Sequence, residues 1–460
     1  MRYSKSQIHS RVYKIPDIKY EDQRLSSYSG LIILQILFSK IDLKNKLKKC
    51  FRHIKENTLY GFHVITLALI LHLILGFRFL RESKSYKEDP IVLRVLGLRN
   101  YPDVSTITRN ISIVDDTSII KIKKENMTLI LDVLKKLNLS RITLDFDGSV
   151  LSTGRYAEGT AVGFNKKKKG GRSYYPLFCM IAQTGQVFDV HHRPGNVHDS
   201  NGAKEFILDC ISHIREVLPD IKIEIRMDSA FFSDKILKIL TKLKVEFTIS
   251  VPFERFPELK NMIELRKRWF RIDKNHSYFE IMWSPKSWDR DYRFFCIRQK
   301  VKKQNKEPIQ LDLFVPHVYG YDFKVIVTNK KNKAKKILKF HNGRGYQEKI
   351  FGELKTQINM DYVPVRTLNG NKIYLMSCIL SHNLIHALQM EVNKPKRKIT
   401  EKQTPLWDFK QIQTLRNILI NKAGRLTKPN GKLTLTMSTN KLTKDIFSHF
   451  HDYLAEKEVA

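Results

Sequence analysis

The sequence predicts a mixed-sheet α/β domain preceded by a helical region. Up to about residue 137 apolar residues recur at helical spacing, whereas from Ile142 onward they alternate with polar ones as in strands. The strand-like and helix-like stretches then follow as three strands, helix, strand, helix, strand, the order of a sheet with helices on its faces. With 460 residues, 42% of them apolar, the chain can form two or three domains with a sizeable core.

Residues 1–138 form the helical region. Leu31, Leu34 and Phe38 share one helical face, as do Ile130, Val133 and Leu137. The stretch Met1 to Lys19 is polar and basic, with no apolar run of the kind a signal peptide needs. Val64 to Leu75 (VITLALILHLIL) is apolar but short for a bilayer span and contains His72, so a buried core helix is expected and no membrane contact. Between Asp89 and Ile111, Ser105 is placed to cap a helix after the turn at Pro102-Asp103. That helix suits either a helix-turn-helix or an ordinary small bundle.

Residues 139–251 give the first part of the sheet domain. Ile142, Leu144 and Phe146 alternate with Thr143, Asp145 and Asp147, a half-buried strand. Pro176–Ile181 and Gln186–Val190 flank the turn Gln183-Thr184-Gly185. A helix over Asn201–Val217, a strand over Ile221–Met227, a helix over Ser233–Leu243 and a strand over Glu246–Val251 follow. This makes a mixed five-stranded sheet. Residues 252–321 break into short strand-like pieces (Tyr278–Trp283, Asp291–Arg298, Leu311–Val315) and read as a β-rich insertion. Residues 322–392 return to the sheet domain with a strand over Phe323–Thr328, a helix carrying HNGRGYQEKIFGELK, and an apolar helix over Tyr374–Leu388. Residues 393–460 are a basic C-terminal region.

Lys and Arg number 82 against 46 Asp and Glu, a formal net charge of +36. Such a chain repels itself unless a polyanion shares the charge, and nucleic acid is the polyanion whose counterions Lys and Arg displace. The plain alternative is a Lys-rich composition inherited from an AT-rich genome. The five cysteines, Cys50, Cys179, Cys210, Cys296 and Cys378, stand singly. They suit a reducing cytoplasm and, with no C-x-x-C pair, no structural zinc site is expected.

Asp145 and Asp147 lie on one face of the first strand, and Asp147 stands at its end, before Gly148. Asp228 ends the strand IKIEIRMD. On the late helix Arg344, Glu348 and Lys355 share a face away from Ile350, Leu354 and Ile358. Acids at the ends of central strands can converge with one on a neighbouring helix. Three such acids in a basic protein can hold two divalent metals across an in-line phosphoryl displacement. Mg²⁺ suits them, with Mn²⁺ as a substitute. Arg344 and Lys355 would then neutralise phosphate. Taken singly, each acid reads rather as a cap, a turn residue or a solvated charge.

Taken together the motifs resemble the DDE transposases of bacterial insertion sequences, in the group with the helix signature Tyr-x-x-Arg-x-x-x-Glu-x-x-x-x-x-x-Lys, and most of all the insertion-sequence 1380 family. The matching blocks are LDFDGSVL (Leu144 to Leu151), VGFNKKKKGGRSYYPLFCMIAQTGQV (Val162 to Val187), RPGNVHDSNGAKEFI (Arg193 to Ile207), RMDSAFFS (Arg226 to Ser233) and HNGRGYQEKIFGELK (His341 to Lys355). They fall between roughly residues 85 and 390. His341 stands where the signature has tyrosine, and Asp145 competes with Asp147 for the first acid. Asp147 directly precedes the Gly-Ser turn, as in the family. The resemblance implies an RNase H-like catalytic domain with Asp147, Asp228 and Glu348 as catalytic metal ligands. It also implies cut-and-paste transposition and a helical N-terminal region that binds terminal inverted repeats, as a dimer on paired ends. Double-stranded DNA, both element ends and target, would be the partner, in the cytoplasm on the nucleoid. His341, Arg344 and Lys355 would contact DNA. A nuclease without strand transfer and a domesticated DNA-binding protein are the alternatives.

Three further groups have two readings each. Lys166, Lys167, Lys168 and Lys169 with Arg172 are either a DNA-backbone contact or a solvated loop. Trp283 and Trp288 either stack on an unpaired base, as the resemblance suggests, or pack in a core. His191, His192 and His198 look like a metal cluster but lack ligand spacing, and read as structural or DNA-facing.

Overall fold

A computed structural model describes residues 16–55, 59–154, 156–163, 165, 168–198, 201–300, 321–397, 404–438 and 440–456. Its centre is one nine-stranded mixed sheet. In chain order the strands are β1 (Arg141–Gly148), β2 (Leu177–Ile181), β3 (Gln186–His191), β4 (Lys222–Met227), β5 (Glu246–Val251), β6 (Phe270–Arg271), β7 (His276–Trp283), β8 (Tyr292–Lys300) and β9 (Tyr321–Thr328). Across the sheet they lie β6-β7-β8-β9-β5-β4-β1-β2-β3. β1, β4 and β5 run parallel, and every other pairing is antiparallel.

The expected β-rich insertion is thus no separate layer. β7 and β8 extend the central sheet through β9, which pairs with β5. Alternation reveals a strand but not the sheet it joins, because any edge offers the same unpaired N–H and C=O groups. The piece Leu311–Val315 lies outside the described residues. A small second sheet was also unforeseen. It joins Leu151–Ser152, Ala161–Val162 and Arg172–Tyr174 just beyond the end of β1.

Helices cover both faces. Seven carry the argument: α1 (Phe62–Leu75), α2 (Asp116–Leu137), α3 (Ala203–Val217), α4 (Asp234–Lys242), α5 (Ala334–Asn342), α6 (Tyr346–Thr356) and α7 (Leu368–Val392). Ile142, Leu144 and Phe146 of β1 pack with Ile225 and Met227 of β4 and with apolar residues of α3 and α4. The other face meets α5, α6 and α7. Consequently β1 is buried on both sides rather than half-buried, and Thr143 and Asp145 are as buried as their apolar neighbours. The Thr143 N–H is satisfied by the Gln183 side chain. At the edge, the register between β2 and β3 slips past Phe188. Asn126 of α2 and Asn383 of α7 bond the backbone there, so the Val187 N–H and the carbonyls of Val187 and Phe188 have partners despite the bulge.

α1 is apolar all round and buried all round, as the sequence predicts for a core helix. It packs against α7, so the helices of the first third and this late helix share one core. The buried guanidinium of Arg416 donates to the carbonyls of Leu73 and Ile74, capping the C-terminal end of α1. Among the described residues, no helix is long and apolar enough to cross a membrane. The helix Val104–Ser112 has Asp103 at its N-cap position, so Ser105 lies inside the first turn and is not the cap.

Candidate active site

Phe146 and Met227 are register partners on the parallel strands β1 and β4. Asp147 and Asp228 are the next residues, so the two aspartates stand side by side at the C-terminal ends of adjacent strands. Each is fixed by its turn. The Asp147 carboxylate accepts the Gly148 N–H (2.8 Å), and that of Asp228 accepts the Ala230 N–H (3.0 Å). Both remain partly exposed.

α6 is fastened to the same strand end by the residues on either side of Glu348's position. Arg344, just before the helix, donates to Asp147 (3.0 Å), and buried Gln347 donates to the backbone carbonyl of Asp145 (3.4 Å). Glu348 follows in the first turn of α6 and is exposed. Lys355, two turns on, is half-buried. Sequence reasoning missed Arg226 and Gln347. Arg226 grips Asp145 through two hydrogen bonds (2.6 and 2.7 Å), with both side chains only 3% exposed. This buried pair separates the two competing aspartates: Asp145 is neutralised within the sheet, while Asp147 faces the strand end. Gly343 permits the arrangement, since a Cβ there would sit 2.1 Å from the Arg226 guanidinium.

Other expected site residues lie elsewhere or are otherwise engaged. His341 is buried between α5 and β5, with one ring nitrogen on Thr248 (3.1 Å) and the other on Ser250 (2.8 Å). Burial, helped by Lys324, Arg344 and Arg226, pushes its pKa down to about 3, so it is neutral. The expectation that His341 contacts phosphate is therefore corrected: both nitrogens are used inside the fold. Trp283 packs in the core against Phe256 and Phe294, and half-buried Trp288 lies against Phe232. For both, the packing reading describes what they touch. Lys168 and Lys169 are exposed on a loop of the small sheet, and Lys166 and Lys167 lie outside the described residues. Arg172 turns back onto Thr160 and the Tyr156 ring. His192 packs edge-on against Tyr174, and His191 lies over Phe206.

A family model described as a transposase DDE domain, group 1, matches residues 14–459. The chain belongs to the DDE transposases. It is a DNA transposase, an enzyme class that acts on DNA and uses divalent metal ions. Among solved structures, this transposase is similar to a piggyBac transposase synaptic complex with hairpin DNA, at 11% identity and a TM-score of 0.41 over 94% of this chain and 82% of that one. It is also similar to a Mos1 transposase paired-end complex with the left transposon end, at 11% identity and a TM-score of 0.19 over 42% of this chain and 60% of that one. No curated protein matches it.

Proposed function

We propose that this transposase is a cut-and-paste enzyme of the Tyr-Arg-Glu-Lys signature group, akin to the insertion-sequence 1380 family, with Asp147, Asp228 and Glu348 as its catalytic acids. The observation that carries the reading is the register of β1 and β4. It sets Asp147 beside Asp228, while Arg344 and Gln347 hold the start of α6 against the same strand end. The strand order β3-β2-β1-β4-β5, a meander followed by two parallel strands, supports an RNase H-like catalytic core. A donor set of three carboxylates, all hard oxygens, fits Mg²⁺, or Mn²⁺ in its place. Bound there, the divalent ions would activate the attacking oxygen and offset charge on the phosphoryl group.

The chain's own groups have separate parts. Asp147 and Asp228 are oriented before any ligand arrives, because their turns already hold them. Arg344 neutralises Asp147 in the protein alone and is placed to meet a DNA phosphate at the same spot. Lys355, Lys168 and Lys169 extend the cationic path. The helices of residues 1–138 serve terminal-repeat recognition, with a homodimer pairing two element ends. The test is a gel-shift and a cleavage assay on one end fragment with Mg²⁺. The reading expects binding that weakens steeply with salt, and 3′-hydroxyl ends that join to target DNA. Cleavage without joining would leave a nuclease, and binding without cleavage in Mg²⁺ or Mn²⁺ would leave a DNA-binding protein.

A further inference from the structure

His382 and His386 lie one turn apart on α7 and are buried, with ring centroids 4.1 Å apart. A ring nitrogen of each and a carboxylate oxygen of Glu353 on α6 all lie within 4.8 Å of one another. The outer nitrogens fix the tautomers. Nε2 of His382 is bonded to the Gly185 carbonyl (3.0 Å), and Nδ1 of His386 to the Thr184 carbonyl (3.1 Å). A carbonyl only accepts, so each of these nitrogens carries the proton. Nδ1 of His382 and Nε2 of His386 are therefore bare lone pairs, buried and without a hydrogen-bond partner. Glu353 is half-buried and one of its oxygens also accepts the Ile412 N–H (3.0 Å), so the two buried lone pairs beside this carboxylate make a donor set with room for a cation. Metal-bound histidines characteristically donate their outer N–H to a backbone carbonyl, as both do here. We propose that Glu353, His382 and His386 form a second metal site, which takes zinc and is separate from the carboxylates at the strand ends.

Two imidazoles and one carboxylate suit Zn²⁺, with a fourth position for water. The cysteines play no part, which is why their spacing gave no hint of a zinc site. Phe409 stacks on His386 (4.0 Å, 23°). The ion would join α6, α7 and the β2–β3 turn, and Glu353 lies on the same helix as Glu348. The test uses the full chain, stripped with chelator and reloaded with Zn²⁺ or Co²⁺. Expected are about one retained zinc per chain, a visible cobalt band displaced by zinc, and a melting temperature raised by roughly 3 °C or more. His386→Gln and Glu353→Gln should lower zinc to background, while Asp147→Asn/Asp228→Asn retains it. A stripped wild-type chain that takes up no zinc and shows no cobalt band overturns the proposal, even if the His386→Gln chain fails to fold. Loss of zinc in Asp147→Asn/Asp228→Asn overturns it as well, because the ion would then belong to the strand-end acids.

Discussion

At the N-terminal end of the parallel strands, Glu224 and Glu246 face each other across β4 and β5, and the cations Lys330 and Arg141 bind both. At the C-terminal end, Asp147 and Asp228 stand side by side on β1 and β4 with one cation, Arg344, bonded to Asp147. The side chains of Glu224 and Lys330 are 6% and 4% exposed and that of Asp147 is 20% exposed, while Glu246 at the start of β5 is 41% exposed. Like charges opposite one another in a sheet are destabilising unless something neutralises them. One end is neutralised permanently by lysine and arginine. The other has Arg344 on Asp147 and is open to further cations. β4 thus carries part of a neutralised charge cluster at one end and, in the proposed reading, a catalytic acid at the other.

Four experiments sharpen or break this contrast. The largest effect is expected from Asp147→Asn and Glu348→Gln. Each should lower strand cleavage by about 10³-fold with end binding nearly intact, since size and shape are kept. Wild-type cutting by either variant would remove that acid from the site. Next comes Asp145→Asn, two residues from Asp147 on the same strand. It leaves Arg226 buried opposite a neutral amide, and a urea titration should show a loss of about 3–5 kcal/mol. Should Asp145→Asn instead abolish cleavage at unchanged stability, the roles of the two aspartates are exchanged.

Lys330→Met tests the closed end. Two facing carboxylates would lose their main shared cation, leaving Arg141, and about 3 kcal/mol of stability should go with it. A variant as stable as wild type in the same titration would mean the cluster does not hold the sheet. The fourth test is a pH dependence. His341 has a folded pKa of about 3 against 6.5 unfolded, so below pH 6.5 the unfolded chain binds the proton and the folded one does not. Stability present above pH 6.5 is therefore lost progressively as pH falls toward 3. The denaturation midpoint should drop across that window, and His341→Gln should shallow the slope. An unchanged slope would show that His341 is not held neutral.

The strands and the positions of their terminal acids were legible because alternation and a following turn are local signals. Burial of the polar face of β1 was not, since it depends on α6 and α7, formed some 200 residues later. Asp145 and Asp147 are equivalent to any periodicity argument; the turn after Asp147 favours it in the sequence, and the cross-strand neighbour Arg226, which engages Asp145, is visible only in the fold. The histidine of the signature helix invited a phosphate-facing reading, but packing against β5 turned its ring inward. The spacing of His382 and His386 was visible on an apolar helix. Their tautomers were not, because the carbonyls that set them belong to a distant hairpin.

The core shared by α1 and α7 has a consequence for synthesis. α1 is apolar on every side, and the helix that covers it is not made until roughly 290 residues later. At ribosomal speeds of about 5–20 residues per second that is a wait of about 15–60 s. Until then the side of α1 that meets α7 lacks its partner, and only neighbouring helices such as Leu43–Phe51 and Val104–Ser112 are there to pack against it. A frameshift before α7 would remove the helix that α1 meets most extensively in the finished fold.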